Sequence, residues 1–350
     1  MTALDKKPIE HSRLDRTFCV APMLDCTDRH ARFLMRQISS HAVMYTEMVT
    51  TGALIHGDRH RFLDFDVQEH PVALQLGGSD LSDMAKCAVI AQEWGYDEVN
   101  INVGCPSDRV QSGSFGACLM QQPELVAENV KAMNSVVDIP VTVKSRIGVD
   151  DQNPKQALWK LTELVAEAGC RVLVVHARKA WLKGLSPKEN RDIPSLDYDL
   201  VYELKNAFPE MEIIINGGIK TLAECQLHLA YVDGVMMGRE AYSNPFILSQ
   251  VDKTLYQQIE SKPSREQVLE KYIEYAKKQL ETGTRLNHIS RHVVGLFHGQ
   301  PNSRLWRQHI SEHAHLPDAG IEVLTDAMQK LQRANQYHDH YHRKQSSVQA

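Results

Sequence analysis

Cys105 is the residue of this chain with the clearest capacity for chemistry, because Gly104 and Pro106 constrain the backbone on either side of it. The stretch Glu98–Val103 alternates in polarity and runs directly into this turn, which predicts a strand that ends by presenting one thiol. A thiol aimed by the fold can serve as a general acid. The alternative is a small apolar residue that closes a strand, since buried, unreactive cysteine is common.

Two glycine-containing turns predict a phosphate site. Asn216–Gly218 and Gly238–Arg239 each follow an apolar, β-branched run. Glycines let backbone N–H groups approach phosphate oxygens, a following helix N-terminus adds positive potential, and Arg239 can chelate the anion. We therefore expect a phosphorylated ligand here, with two ordinary glycine turns as the alternative.

Three further positions suit flavin mononucleotide (FMN). Pro22–Met23 would give an apolar backbone wall, Gln75 an amide for the pyrimidine edge, and Lys144 a cation near N1 of the ring. A lysine beside a phosphate site also suits a Schiff-base aldolase, but that chemistry gives no reason for an aimed Cys105.

A flavin would also give Cys105 a role. If reduced flavin delivers hydride to one carbon of a conjugated C=C bond, the other carbon must be protonated, and a thiol can supply that proton. The segment Ser107–Leu119, with Gly113 and Gly116, predicts a mobile flap that carries the acid into place. An ordinary glycine-containing loop is the alternative.

The elements that must position these groups form a regular alternation of strands and helices. We predict strands at Phe18–Met23, Val43–Glu47, Val72–Leu76, Glu98–Val103, Val141–Ser145, Val172–His176, Glu212–Asn216 and Gly234–Met237. We predict intervening helices at Ala31–Ile38, Ser82–Trp94, Pro123–Asn134, Pro154–Ala168, Leu200–Ala207, Leu222–Leu229 and Tyr242–Leu255. This rhythm predicts an α/β fold of the (β/α)8 TIM barrel type, with a doubly wound open sheet as second choice. In such a barrel the strand ends just described meet at one mouth.

The strand rhythm stops after the eighth unit, and the remainder predicts a C-terminal all-helical domain. The expected helices are Arg265–Leu280, Ile289–Phe297, Ser303–Ile310 and Gly320–Gln336. We divide the chain into a polar N-terminal extension (1–16), the barrel (17–258), the helical domain (259–336) and a tail expected to be disordered (337–350).

Composition narrows the functional class. The chain has 350 residues, of which 43% are hydrophobic and 24% charged, and no run of apolar residues long enough for a membrane span. Seven cysteines without a CxxC pair argue against a disulfide framework or a structural zinc site and favour a reducing cytoplasm, so we assign no metal.

Charge is unevenly distributed along the chain. Residues 255–350 carry 13 Lys and Arg against 10 Asp and Glu, whereas residues 1–254 carry 26 against 34. A mildly basic end on an acidic body hints at a polyanionic partner.

The motifs in combination resemble the tRNA-dihydrouridine synthases. The resemblance extends from about Phe18 to about Leu316 and includes both the barrel and the helical part. Its motifs are Val20–Met23, Asn102–Pro106, Val143–Arg146, His176–Arg178, Asn216–Gly218 and Met237–Glu240. The loop from His176 to Arg191, and the segments Gly295–Phe297 and Arg304–Arg307, look like the A-type subfamily.

The resemblance implies a cofactor, an electron donor and a set of roles. FMN would take electrons from NADPH and pass hydride to C6 of a uracil ring in tRNA, and Cys105 would protonate C5. A-type members act on D-loop uridines 20 and 20a. By resemblance, the FMN-binding residues are Pro22, Met23, Leu24, Gln75, Lys144, His176, Asn216, Gly217, Gly218, Gly238 and Arg239.

The helical part suits RNA on its own physical terms. Arg304 and Arg307 are three residues apart on a predicted helix, so both guanidinium groups project from one face and could meet adjacent phosphates. A solvated basic face is the alternative. By resemblance, Asn102, Lys188, Arg191, Arg304 and Arg307 contact tRNA, and Asn102 and Arg191 lie at the uracil edge.

Two other functions compete with reduction of tRNA uridines. One is a barrel flavoenzyme that reduces a free pyrimidine or another conjugated small molecule, which would have no need of the helical part and its arginine pair. The other is a non-catalytic RNA-binding protein, which would be colourless and take up no FMN. We infer no obligate protein partner.

Overall fold

Eight parallel strands form a closed barrel, as predicted. The computed structural model describes residues 14–107, 113–258 and 262–348, with side chains to residue 336. The strands are β1 Phe18–Val20, β2 Val43–Thr50, β3 Val72–Gly77, β4 Glu98–Val103, β5 Val141–Arg146, β6 Val172–His176, β7 Glu212–Asn216 and β8 Gly234–Met237. They pair in chain order, and β8 closes onto β1, where Phe18 lies opposite Val235.

The sheet register brings the polar strand ends to one level. Asn102 on β4 is the partner of Lys144 on β5, and His176 on β6 is the partner of Asn216 on β7. Because all strands are parallel, their carboxyl ends open at the same mouth, where barrel enzymes build their sites.

Helices surround the barrel and continue beyond it. The barrel helices are α1 Arg29–Arg36, α2 Thr51–His56, α3 Arg59–Leu63, α4 Leu81–Trp94, α5 Pro123–Asn134, α6 Pro154–Glu167, α7 Tyr198–Ala207, α8 Leu222–Leu229, α9 Arg239–Ser243 and α10 Val251–Leu255. The C-terminal helices are α11 Arg265–Glu281, α12 Leu286–Ser290, α13 Ser303–His313 and α14 Glu322–Val348. None of the described helices is long and apolar enough to cross a membrane.

Local signals explain why several boundaries match the predictions. Asp80 accepts a hydrogen bond from the backbone N–H of Asp83 and so caps α4, and Gly95 ends that helix in the left-handed conformation at φ 91°. Proline occupies the first position of α5 and α6, where its missing N–H costs nothing.

Among the strands, β1 ends at Val20, before the predicted Met23, and β2 continues to Thr50, beyond the predicted Glu47. Three helical segments differ more substantially from the predictions. The helix expected at Tyr242–Leu255 is interrupted at Pro245, which has no N–H to donate and holds Asn244 at φ −134°, so a 3-10 turn separates α9 from α10. The helix expected at Ile289–Phe297 is only the short α12 followed by turns. The terminal helix includes residues 337–348, where a disordered tail is expected; this segment contains no Gly or Pro to stop a helix.

Parts of the predicted organisation fall on residues that are not described. Most of the N-terminal extension (1–13), much of the first half of the expected flap (108–112) and the start of the predicted helical domain (259–261) lie outside the described residues.

The helical part packs against α1 of the barrel. Phe33 stacks on Tyr275 with ring centroids 3.9 Å apart, and the His30 ring hydrogen-bonds the Tyr275 hydroxyl at 2.8 Å. Asp28, the N-cap of α1, accepts from Arg291 at 2.6 Å and lies 3.0 Å from the ring nitrogen Nε2 of His292. An apolar stack and an ion pair thus join the two parts.

Candidate active site

A cavity of about 630 Å³ opens at the carboxyl ends of the strands. Every residue predicted to bind FMN lines it, together with Cys105, Asn102 and Arg191. The structure therefore brings the predicted site residues of seven of the eight strands, all but β2, and of their following loops into one space, and leaves their roles as predictions.

The β4 turn holds Cys105 against this cavity. The side-chain oxygen of Asn102 accepts from the backbone N–H groups of Gly104 at 3.0 Å and Cys105 at 2.9 Å. The Cys105 carbonyl accepts from the N–H of Ala117 at 2.9 Å, which ties the far end of the expected flap to the turn. The half-buried thiol lies 3.6 Å from the Ser107 hydroxyl. Its backbone is therefore fixed from both sides, as the flanking residues predict.

Lys144 is a cation that lines the cavity. Its ammonium group donates to the side-chain oxygen of Asn216 at 3.0 Å, and the Asn216 amide donates to the Met236 carbonyl at 2.7 Å. Burial lowers the pKa of Lys144 to about 7, the positive charge of Arg146 adds to this, and Cys105 opposes it. A lysine poised near neutrality can gain or lose a proton as a ligand arrives.

The β7 turn accepts only glycine. Gly217 and Gly218 have φ of 118° and 73°, in the region that disfavours side chains. A Cβ on Gly217 would lie 2.7 Å from the His176 ring, and one on Gly218 would lie 2.6 Å from Leu196. Burial, and next the charge of Arg146, lower the pKa of His176 well below its ordinary value, so the ring is neutral. The result is a bare backbone edge beside an uncharged imidazole.

The predicted anion-chelating residue has a partner in the structure. Arg239 begins α9 and pairs with Asp192 at 2.8 Å, with both side chains about half exposed. An anion at this turn would have to compete with that carboxylate for the guanidinium group.

Comparison with known proteins shows the family of the chain. A family model described as dihydrouridine synthase matches residues 19–334. The chain belongs to the dihydrouridine synthase family. It is 57% identical over 323 residues to the tRNA-dihydrouridine(20/20a) synthase of Shewanella oneidensis, which covers 92% of this chain and 96% of that relative. Proteins of the same name from Vibrio cholerae and Synechocystis are 56% and 54% identical over 89% of this chain and 95% and 93% of their own lengths.

Membership of the dihydrouridine synthase family confirms the resemblance seen in the motifs. The match includes the barrel and the C-terminal helices through most of α14's described side chains. The helical part is therefore within the extent of the dihydrouridine synthase family.

Arg146 is a cavity residue with no role predicted from the sequence. Its guanidinium group donates to the carbonyls of Gly104 at 3.2 Å, Asn190 at 3.0 Å and Lys179 at 3.3 Å, and only 3% of the residue is exposed. It therefore ties the Cys105 turn to the loop that carries Arg191. Its position two residues after Lys144 was an available signal, because alternate residues of a strand share a face.

A bulge in β2 decides which of its residues reaches the cavity. Tyr45 lies opposite Ala73 and Met48 opposite Gln75, so one extra residue is inserted in β2. Met48 lines the cavity as a result, whereas the carboxylate of Glu47 accepts a hydrogen bond from the backbone N–H of Asp25.

The remaining predicted RNA contacts lie outside the cavity lining. Lys188 is exposed on the β6 loop, and Arg304 and Arg307 are exposed on α13. Trp306 between them is fully buried, with its indole N–H 3.0 Å from the Val293 carbonyl. Trp306 therefore anchors α13, and the two arginines project away from that anchor without an ion pair among the described residues.

Proposed function

We propose that this protein reduces the C5=C6 bond of uridines 20 and 20a in the D loop of tRNA. It does so with FMN in the barrel cavity and NADPH as the electron donor, in the cytoplasm. The name of its relatives, tRNA-dihydrouridine(20/20a) synthase, supports the substrate. The observation that carries the proposal is that Cys105, Lys144 and the Gly217–Gly218 turn face one cavity.

The residues of the cavity fit FMN. Apolar atoms of Ala21, Pro22, Met48 and Met236 line it beside the amide of Gln75 and the ammonium of Lys144. The cavity volume of about 630 Å³ falls within the range of about 300–1,000 Å³ typical of ligand sites. The bare backbone at Gly217 and Gly218, with Arg239 beside it, suits a phosphate.

Bound FMN would supply the hydride for the uracil ring after reduction by NADPH. The ammonium group of Lys144 would stabilise negative charge on the reduced flavin, and the side chain of Asn216 orients this ammonium group. Cys105 holds the proton for C5 on a turn fixed by Asn102 and Ala117. Asn102 and Arg191 bind the uracil edge from the same cavity.

The exposed cations bind the rest of the tRNA. A target uridine has to leave its stack to enter a barrel mouth, so other surfaces must hold the nucleic acid while it does. Arg304 and Arg307 on α13, with Lys188 on the β6 loop, offer exposed positive charge to phosphates. NADPH and the uridine use the same mouth in turn, and a ternary complex containing both would contradict this order.

The test uses tRNA from a strain that lacks its own dihydrouridine synthases. Incubation with the protein, FMN and NADPH should form dihydrouridine at positions 20 and 20a when the product is mapped by nucleotide. Turnover of free pyrimidines without product in tRNA would favour the small-molecule reductase. Colourless protein that binds tRNA and takes up no FMN would favour a non-catalytic RNA-binding protein.

A further inference from the structure

A continuous chain of buried polar side chains runs inside the barrel along β3, β4 and β5. Thr142 donates to the Glu98 carboxylate at 2.6 Å, and the Asn100 amide donates to the Thr142 hydroxyl at 2.8 Å. The Gln75 amide then donates to Asn100 at 2.8 Å, and the Asn102 amide donates to Gln75 at 2.7 Å. Glu98, Asn100 and Thr142 are fully buried, and none of the three lines the cavity.

Both ends of this chain require the same direction of hydrogen bonding. At the lower end the Glu98 carboxylate only accepts, and it is ion-paired with buried Arg16 at 2.7 Å, so Thr142 must donate to it. At the upper end the backbone N–H groups of Gly104 and Cys105 only donate, so Asn102 must present its oxygen to them. The amides between the two ends have one orientation that satisfies both.

The barrel does not need polar residues at this depth in order to close. The other side of its interior is filled by an apolar cluster that includes Cys19, Val174, Ile214 and Met236, all fully buried or nearly so. Buried polar groups are costly unless every partner is present. A polar chain on one side only, ending at the Cys105 turn, therefore indicates a function beyond filling the core.

We propose that Glu98, Thr142 and Asn100 are positioning residues that set the orientation of Gln75 and Asn102 and hold the Cys105 turn for the reaction. This inference rests on the proposed function. The chain of polar side chains uses one N–H of the Asn102 amide and leaves the second for the cavity that Asn102 lines. The site thereby offers a donor to a carbonyl oxygen at the pyrimidine edge and rejects a donor in its place, as in cytosine's amino group.

Thr142 allows the cleanest test, because its hydroxyl alone links Glu98 to Asn100. Thr142→Val keeps the shape and removes the link, and Thr142→Ser keeps the hydroxyl as the matched control. FMN-loaded wild type and both variants are reduced by NADPH without oxygen and then mixed with unmodified tRNA, and flavin absorbance gives the rates of reduction and reoxidation.

We expect Thr142→Val to slow reoxidation by tRNA by about tenfold and to change reduction by NADPH by less than about twofold. Amide hydrogen exchange in the peptide containing Asn102–Ser107 should become faster in Thr142→Val without tRNA, and Thr142→Ser should restore both measurements. If Thr142 had only a structural role, Thr142→Val would slow both half-reactions together.

Equal slowing of both half-reactions, wild-type reoxidation in Thr142→Val, or failure of Thr142→Ser to restore the rate would overturn the inference. If the wild type itself transfers nothing to tRNA, the proposed function fails instead. The exchange measurement then decides by itself, because unchanged exchange in Thr142→Val would show that the chain does not hold the turn.

Discussion

The cations of the cavity and the cations of α13 differ in how the protein holds them. Lys144 and Arg146 are fixed by Asn216 and by three backbone carbonyls, and burial lowers the pKa of both groups. Arg304 and Arg307 stand in solvent beside a buried tryptophan. A buried cation acts at one point on one group, whereas an exposed cation acts through a field that salt screens. We therefore expect single substitutions to be severe in the cavity and mild on α13.

Cys105→Ala should have the largest effect, because it removes the proposed proton donor. Formation of dihydrouridine should fall by about 100-fold or more, while FMN content and reduction by NADPH remain. Cys118→Ala, which changes a half-buried thiol outside the cavity lining, is the matched control. Product formation by Cys105→Ala at the rate of the control would remove Cys105 as the acid.

Lys144→Met should rank second and should also change the dependence of stability on pH. Loss of the cation should slow reoxidation by tRNA by about 100-fold. The pKa of Lys144 is lowered from 10.5 to about 7 in the fold, so between these values the unfolded chain binds more protons than the folded one. The free energy of unfolding of the FMN-free protein should therefore rise with pH from about 7 to about 10, through this group.

Denaturant unfolding of FMN-free wild type and Lys144→Met across that pH range measures this contribution. The difference between the two proteins should change in the window above pH 7 and be constant below it. A constant difference throughout would show that Lys144 is not held with a lowered pKa.

Asp28 joins α1 of the barrel to the helical part, and its substitution should have an intermediate effect. Burial raises the pKa of Asp28, but the hydrogen bond and charge of His292 outweigh this and lower the pKa below its ordinary value. Its stabilisation is therefore present above the unfolded pKa near 4 and lost as the pH falls. Asp28→Ala removes both the cap of α1 and the ion pair, and should lower the free energy of unfolding by about 2 kcal/mol at neutral pH.

Asp28→Asn separates the two contributions, because an asparagine still caps a helix but cannot form the ion pair with Arg291. We expect it to lose less stability than Asp28→Ala and to show a weaker fall in stability below pH 4, as measured by thermal unfolding at several pH values. Equal losses in both variants would show that the ion pair accounts for the whole loss and that the cap adds nothing.

Arg304→Ala combined with Arg307→Ala should have the smallest effect and the strongest dependence on salt. We expect Kd for tRNA to increase by about tenfold at low salt and the slope of log Kd against log salt to decrease by about 1–2, because two phosphate contacts are lost. Lys155→Ala combined with Lys160→Ala, on ion-paired cations of α6, is the control. An unchanged slope would place the tRNA surface elsewhere.

Much of the fold could be predicted because its signals are local. These signals are the alternation of strands and helices, the helix caps and the prolines of α5 and α6, each of which acts within a few residues. The strands β4, β6, β7 and β8 accordingly have the predicted bounds. The bulge of β2 and the break at Pro245 were missed. The first depends on pairing with β3 and has no marker in its own sequence, and the second was outweighed by a helical pattern on both sides.

The meeting of the strand-end residues at one cavity could be predicted for the same reason, since each terminates a recognisable strand; their roles stay predictions. The polar chain was missed although β4 carries Glu98, Asn100 and Asn102 on one face, because alternation cannot show whether such residues find partners. Arg146 was similarly visible as a strand end, but its carbonyl partners lie on distant loops.

The sequence by itself determined the period of the elements, the turn around Cys105 and the motifs of the dihydrouridine synthase family, because these depend on neighbouring residues. Only the tertiary structure decided which groups meet. Lys144 and Asn216 are 72 residues apart, and Arg146 and Gly104 are 42 residues apart. The pKa of Lys144 and the direction of the polar chain depend on burial and on partners from other strands, and closure of the barrel creates both.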